Sequence, residues 1–125
     1  MMGSSAKPQV LLVEDHAALV RLTTAMLSRD FEVVACTSGL AALHAFASDP
    51  ATFAAAVLDW QLPDLSGPDL ARHCWLVRPD LPVVLISGDP RLLDTLPVEG
   101  PIVGLAKPFL PQELLESLRH VRGLP

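Results

Sequence analysis

The chain lacks the features that mark secreted and membrane proteins. Among its 125 residues there are only two cysteines, Cys36 and Cys74, without CxxC spacing, so we expect two reduced, buried thiols. No apolar run approaches the roughly 20 residues needed to cross a bilayer. Residues 1–9 lack the apolar stretch of a signal peptide. We therefore expect a cytoplasmic protein with no membrane association.

Basic residues are also scarce and scattered. Nine Lys and Arg face fourteen Asp and Glu, giving a net charge of −5 at pH 7, which disfavours direct nucleic acid binding. The length suits one domain with a single core. We expect that domain to span residues 9–122, after a disordered tail at 1–8 and before a short C-terminal tail at 123–125.

Apolar runs alternate with segments of helical period along the whole chain. Val10–Val13 predicts a first strand, after which Leu19, Leu22 and Met26 recur at the spacing of a helix that faces a core. Further strands are predicted at 31–35, 53–58, 83–86 and 102–106, and further helices at 39–47, 68–77 and 112–121. Prolines between the last two strands leave room for about two turns of a fourth helix. Strict alternation of this kind predicts an α/β domain with a parallel sheet covered on both faces.

Acidic side chains directly follow two of these strands. Glu14 and Asp15 come after the first strand, and Asp59 comes after the third. Ligands of such sheets bind at the carboxyl ends of the strands, where the strand order reverses. Three carboxylates gathered there would repel one another unless a cation lay among them. The sequence therefore predicts a site for a divalent cation.

Two later strands each end in a polar group of a different kind. Ser87 follows the fourth strand and Lys107 follows the fifth. A carboxylate nucleophile, a hard cation, a hydroxyl and an ammonium group are the parts needed to transfer and hold a phosphoryl group. Taken singly, each residue has a simpler explanation: Asp15 or Asp59 as a helix cap, Lys107 as an ion-pair partner, and Ser87 as a loop serine.

Four segments in this order resemble the receiver domains of bacterial two-component response regulators. They are Val13-Glu14-Asp15, the run from Leu58-Asp59 to Gly67, Ile86-Ser87-Gly88 and Ala106-Lys107-Pro108-Phe109. The resemblance covers about residues 9–122. It implies a flavodoxin-like (βα)5 fold, a doubly wound five-stranded parallel sheet in the order 2-1-3-4-5, here with a shortened fourth helix.

The resemblance also implies a role for each acidic residue at the ends of the first and third strands. Asp59 would be the phosphoacceptor, taking a phosphoryl group from a histidine kinase or a histidine phosphotransfer protein. Mg²⁺ would bind to Asp15, Asp59 and the main-chain carbonyl of Gln61, with Glu14 acting through water. Phosphorylation would change the conformation for a downstream protein or pass the phosphoryl group onward.

The resemblance also implies roles for Ser87, Lys107 and Asp89, and a second role for Gln61. Ser87 and Lys107 would bind the phosphoryl group, with Ser87 moving toward it as a switch. Gln61 and Asp89 lie where the family tunes the lifetime of the acyl phosphate. Self-phosphorylation and self-dephosphorylation are the only reactions expected.

The chain departs from the family pattern at one face. Receivers usually carry Tyr or Phe on the fifth strand, three residues before the lysine, and here that residue is Gly104. The short, proline-rich fourth helix alters the same face. Both departures leave open a second hypothesis, a pseudo-receiver that takes no phosphate and acts as a protein interaction module.

A third hypothesis is a phosphatase that forms an aspartyl phosphate on a related α/β fold. Such enzymes place a second Asp two residues after the nucleophile as a general acid. Gln61 occupies that position here. The sequence therefore disfavours an enzyme with steady turnover of phosphate esters.

Overall fold

The computed structural model describes residues 7–125, in which strands and helices alternate. The strands are β1 (Gln9–Val13), β2 (Glu32–Cys36), β3 (Phe53–Asp59), β4 (Val83–Ser87) and β5 (Ile102–Ala106). The helices are α1 (Ala17–Leu27), α2 (Gly39–Ser48), α3 (Gly67–Val77) and α4 (Pro111–Val121). None of the helices within 7–125 has the length and apolar character needed to cross a membrane.

The five strands form one sheet in the order β2-β1-β3-β4-β5, and every neighbouring pair is parallel. The predicted fold class and strand order are therefore confirmed. Helices cover both faces of the sheet, so the central strands are buried on both sides and consist almost wholly of apolar residues. This order puts β1 and β3 side by side, which brings the acids that follow them together.

Alternate residues of each central strand point to opposite faces and build two separate cores. One core lies under α2 and α3, and it includes Leu11, Leu58, Leu85, Phe46, Leu70 and Trp75. The other lies under α1 and α4, and it includes Val10, Leu12, Val57, Ile86, Leu27, Leu114 and Leu118. The loops at the carboxyl edge of the sheet are thus held on a rigid two-sided scaffold.

The start of the described chain is joined to the body of the domain. Residues 1–6 of the predicted tail lie outside the described residues. Lys7 Nζ donates a hydrogen bond to the carbonyl of Ser28, and the Pro8 carbonyl accepts one from the Glu32 N–H.

Helix α1 is rotated relative to the predicted orientation. Thr23 and Leu27 are its buried residues, and Met26 packs beside them. The prediction that Leu19 and Leu22 face the core is wrong, because they are 36% and 54% exposed. The apolar period of Leu19, Leu22 and Met26 is the same whether this stripe or the one shifted by one residue faces the core. Periodicity alone therefore does not fix the rotation of α1 about its axis.

A single 3-10 turn, Leu92–Thr95, occupies the place of the predicted fourth helix. The N–H groups of Leu92, Leu93 and Asp94 donate to carbonyls three residues earlier. Pro97 has no N–H and its ring blocks a continuing helix, so the 3-10 segment ends after a single turn. The segment is therefore even shorter than the two helical turns expected.

The side chain of Leu93 lies over Gly104 of β5. A Cβ added at Gly104 would come 2.9 Å from Leu93 Cδ2. Gly100 is packed still more closely, since a Cβ there would come 2.3 Å from the Trp75 ring. Two glycines thus let the irregular segment between β4 and β5 pack tightly without a full helix.

Candidate functional site

The polar residues predicted from the strand ends meet at the carboxyl edge of the sheet. Asp59 is the last residue of β3, Glu14 directly follows β1, and Lys107 directly follows β5. Lys107 Nζ lies 2.9 Å from Asp59 Oδ2 and 3.3 Å from Glu14 Oε1. One ammonium group therefore bridges two carboxylates from different strands.

Both bridged carboxylates are almost fully buried. Glu14 is 6% exposed and Asp59 is 9% exposed. Burial raises the pKa of Glu14, and the nearby Asp59 charge adds to this effect, while the His16 N–H and Lys107 oppose it. For Lys107, burial acts to lower the pKa, but Asp59 and Glu14 outweigh it and leave the pKa raised. The ammonium group is therefore firmly charged.

Asp15 and Gln61 complete the rim of a cavity of about 490 Å³ that Asp59 and Lys107 also line. Among the described residues, Asp15, Asp59 and Lys107 line this cavity and Glu14 contacts Lys107 beside it. Three carboxylates therefore lie near one ammonium group, so the charge is not balanced. Carboxylate and carbonyl oxygens with room for water are the ligands that Mg²⁺ prefers. This donor set fits the predicted cation.

His16 is a potential ligand that the sequence reasoning missed. One ligand atom each from Glu14, Asp15 and His16 lie within 4.8 Å of one another. The main-chain N–H of His16 also donates a hydrogen bond to Glu14 Oε2 at 3.1 Å. The sequence feature that could have indicated this ligand is the position of His16 directly after Glu14 and Asp15.

Ser87 is buried at the end of β4 and is engaged with the next loop. Its hydroxyl donates to the Asp89 carbonyl at 3.1 Å and accepts from the Asp89 N–H at 2.9 Å. The main-chain carbonyl of Ser87 accepts a hydrogen bond from the Lys107 N–H. Ser87 therefore connects the site to the segment between β4 and β5.

The Asp89 carboxylate is paired with Arg91. Asp89 Oδ1 accepts from the Arg91 N–H and from Nε, and Oδ2 accepts from a terminal guanidinium nitrogen. These hydrogen bonds lower the pKa of Asp89. Asp89 lines the site cavity, while its carboxylate is bound to Arg91.

A second cavity of about 380 Å³ lies directly beside the first and is mostly apolar. Asp59 and Lys107 line both cavities, and so does Leu19 of α1. Leu22, Met26 and Phe109 are among its other lining residues. The exposed leucines of α1 therefore lie at the margin of the acidic site.

The chain resembles known proteins over nearly its whole length. The family profile for the response regulator receiver domain matches residues 10–119. Over 121 residues the chain is 30% identical to the sensor kinase CckA of Brucella abortus and 32% identical to the response regulator RppA of Synechocystis. These alignments cover 94% and 91% of this chain but only 13% and 50% of those proteins, so the chain spans half or less of their length.

The same likeness extends to solved structures. The crystal structure of a response regulator receiver protein from Sinorhizobium medicae superimposes with a TM-score of 0.84 at 25% sequence identity. The superposition covers 95% of this chain and 96% of that one. Sequence and backbone comparisons therefore agree.

Proposed function

Because the chain belongs to the response regulator receiver domain family of two-component systems, we propose that it accepts a phosphoryl group on Asp59. Receiver domains are signalling domains that interact with histidine kinases and other partners. The observation that best supports the proposal is the 2.9 Å contact between Lys107 Nζ and Asp59 Oδ2, beside Asp15, Gln61 and Ser87 in one cavity. The donor would be a histidine kinase or a histidine phosphotransfer protein.

In the proposed reaction, a carboxylate oxygen of Asp59 attacks the phosphorus of a phosphohistidine. A P–O bond forms while the P–N bond breaks, and the imidazole leaves on the donor protein. Lys107 then offers its charge to a phosphoryl oxygen. The Ser87 hydroxyl leaves Asp89 and donates to another phosphoryl oxygen, which couples the new charge to the segment after β4.

Receiver domains generally bind Mg²⁺ at an acidic pocket, and the residues at this site fit that ion. Asp15, Asp59 and the main-chain carbonyl of Gln61 would hold it, with Glu14 acting through water. An ion held by these residues would neutralise charge on the carboxylates and on the incoming phosphoryl oxygens. The excess of carboxylates over ammonium groups at the site supports this assignment.

We propose no reaction beyond self-phosphorylation and self-dephosphorylation. The Gln61 amide, two residues after Asp59, has no acidic proton to give to a leaving group. The Gln61 side chain and Asp89 remain proposed regulators of acyl phosphate lifetime, through water access to the aspartyl phosphate. A cytoplasmic location and the absence of nucleic acid binding also stay predictions.

Labelling with acetyl phosphate tests the proposal directly. The chain is incubated with the donor in Mg²⁺ or in chelator, and the product is measured by intact mass and peptide mapping. We expect a gain of one phosphoryl group, on the peptide that contains Asp59, only when Mg²⁺ is present. No mass gain in a sample that demonstrably binds Mg²⁺ would contradict the proposal.

The exposed leucines of α1 suggest where a protein donor docks. Leu19 lines the same cavity as Asp59, and Leu22 follows it by one helical turn. A phosphohistidine can reach Asp59 only if the surface around it covers the rim of that cavity. We therefore propose that the donor packs on α1, and that Leu19 and Leu22 form part of its contact.

Replacing Leu22 with aspartate is expected to slow phosphotransfer from a protein donor by roughly tenfold or more, because a charge at an apolar contact costs more than about 1.4 kcal/mol. Labelling by acetyl phosphate should not change, because Leu22 has no part in the chemistry. Leu76→Asp is the matched control, since Leu76 is 83% exposed on α3. Equal slowing with both donors would indicate a distorted site, and no slowing would remove α1 from the docking surface.

The pseudo-receiver hypothesis retains one supporting observation. The face formed by β5 and the preceding segment is remodelled, with a 3-10 turn in place of a helix and Leu93 over Gly104. A module of this kind would bind its partner equally well after Asp59 is substituted. Measured partner affinity for the parent and for Asp59→Asn separates the two functions.

A further inference from the structure

The loop that follows Asp59 is fixed at its base by its own main chain. This acceptor loop, residues 60–66, connects β3 to α3. The Gly67 N–H donates to the Trp60 carbonyl at 2.7 Å, and Gln61 and Ser66 form an antiparallel bridge. The Gln61 N–H also lies 3.3 Å from Asp59 Oδ1. These contacts hold the base of the loop only, and its far end needs other contacts.

Asp64 joins that far end to helix α2. Its Oδ1 accepts from the Gly39 N–H and its Oδ2 accepts from the Leu40 N–H, both at 2.8 Å. These two N–H groups belong to the first turn of the helix, which needs acceptors and favours negative charge. The hydrogen bonds from Leu40 and Gly39 lower the pKa of Asp64, so the carboxylate is charged at neutral pH.

The fit around this contact is close. A Cβ added at Gly39 would come 2.2 Å from Leu65 Cδ2, so the loop lies directly against the start of α2. Ser38 caps the same helix independently, through its side-chain oxygen and the Ala41 N–H at 3.1 Å. Asp64 therefore adds a second cap that comes from 25 residues away in sequence.

We propose that Asp64 is a positioning residue that holds the acceptor loop against α2 and thereby fixes the main-chain carbonyl of Gln61 for the cation. The inference rests on the proposed function, because it takes Gln61 as a ligand of Mg²⁺. Mg²⁺ demands nearly ideal octahedral geometry at about 2.0–2.1 Å. A ligand on a loop meets that demand only when the loop is held at both ends.

The contact has a simpler explanation as well, namely that Asp64 only stabilises α2. The two explanations differ in what happens to the cation. If Asp64 acts as a cap alone, its loss resembles the loss of Ser38, which caps the same helix through the Ala41 N–H. If Asp64 positions the loop, only its loss weakens Mg²⁺ binding.

Calorimetric Mg²⁺ titrations of the parent, Asp64→Ala and Ser38→Ala test the inference. Fluorescence of Trp60, beside Asp59, provides a second readout, because the other tryptophan, Trp75, is buried in the core. We expect the dissociation constant of Mg²⁺ to rise roughly tenfold or more in Asp64→Ala, as for other residues that orient a metal ligand. In Ser38→Ala it should change less than about twofold.

Hydrogen exchange of the Gln61 and Gly67 amides, which donate to Asp59 Oδ1 and to the Trp60 carbonyl, should also quicken in Asp64→Ala and not in Ser38→Ala. At saturating Mg²⁺, acetyl phosphate should still label Asp64→Ala, because the nucleophile is intact. Unchanged Mg²⁺ affinity, or an equal loss in both variants, would overturn the inference and leave the proposed function standing. A parent chain that binds no Mg²⁺ would remove both.

Discussion

Substituting asparagine for Asp59 is expected to abolish Mg²⁺-dependent labelling by acetyl phosphate. The amide has the size of the carboxylate but lacks the charged oxygen that attacks phosphorus, and it binds Mg²⁺ less strongly. Intact mass spectrometry of the parent and the variant measures the effect. We expect complete modification of the parent and none of Asp59→Asn under identical conditions.

Asp69→Asn is the matched control for this experiment. Asp69 is an exposed carboxylate in the first turn of α3, where it pairs with Arg72. Its substitution changes the net charge by the same amount while leaving the site intact, so full labelling is expected. Continued labelling of Asp59→Asn would identify another acceptor and refute the proposed role of Asp59.

The placement of the site was predictable because it follows from chain topology. In a parallel sheet with β1 next to β3, residues at the carboxyl ends of these strands must be neighbours, whatever the conformation of the loops. Glu14 and Asp59 were located in this way, and Lys107 bridges them in the structure. The resemblance to receiver domains supplied the strand order, and the sequence marked where each apolar run ends.

Features that depend on packing between distant segments were not predictable in the same way. The rotation of α1 follows from the shape of the core, so the exposure of Leu19 and Leu22 could not be read from their spacing. The contact of Asp64 with the N-terminus of α2 joins residues 25 apart in sequence, and no local pattern signals it. Both features lie next to the site and affect how it can be reached or held.

The packing over Gly104 is another feature that depends on contact between separate segments. Comparison with the receiver pattern indicated that Gly104 replaces the aromatic side chain usual on the fifth strand. The structure adds that Leu93, from the 3-10 turn, lies in close contact with that position. Because Asp89 and Arg91 hold the start of this turn and Asp89 is bound to Ser87, a moving Ser87 would act on the turn directly. The proposed switch would then reach this face through the turn, without an aromatic rotamer on β5.

The other large effect is expected from replacing Lys107 with methionine. Lys107 is the ammonium group that bridges Glu14 and Asp59, and without it two nearly buried carboxylates would face each other unpaired. Removing one partner of a buried ion pair costs about 3–5 kcal/mol, and partial exposure of the Lys107 side chain reduces this. We expect the free energy of unfolding in chelator to fall by about 2 kcal/mol, measured by urea denaturation.

The chain's other lysine supplies the control. Lys7→Met removes an exposed contact with the Ser28 carbonyl and should lower the free energy of unfolding by less than about 0.5 kcal/mol. Since the pKa of Lys107 is raised in the folded state, its stabilising effect is complete below its unfolded pKa and is lost as the pH rises through the folded pKa. The parent and Lys107→Met should therefore converge in strongly alkaline solution.

Addition of Mg²⁺ should restore much of the stability that Lys107→Met loses, because a cation bound among the carboxylates replaces the missing positive charge. Adding Asp59→Asn to Lys107→Met should restore stability in chelator, since it removes one of the two facing charges. If Lys107→Met is as stable as the parent in chelator, the two carboxylates do not repel each other appreciably. The electrostatic basis for a cation at this site would then fail, whatever the geometry of the strand ends.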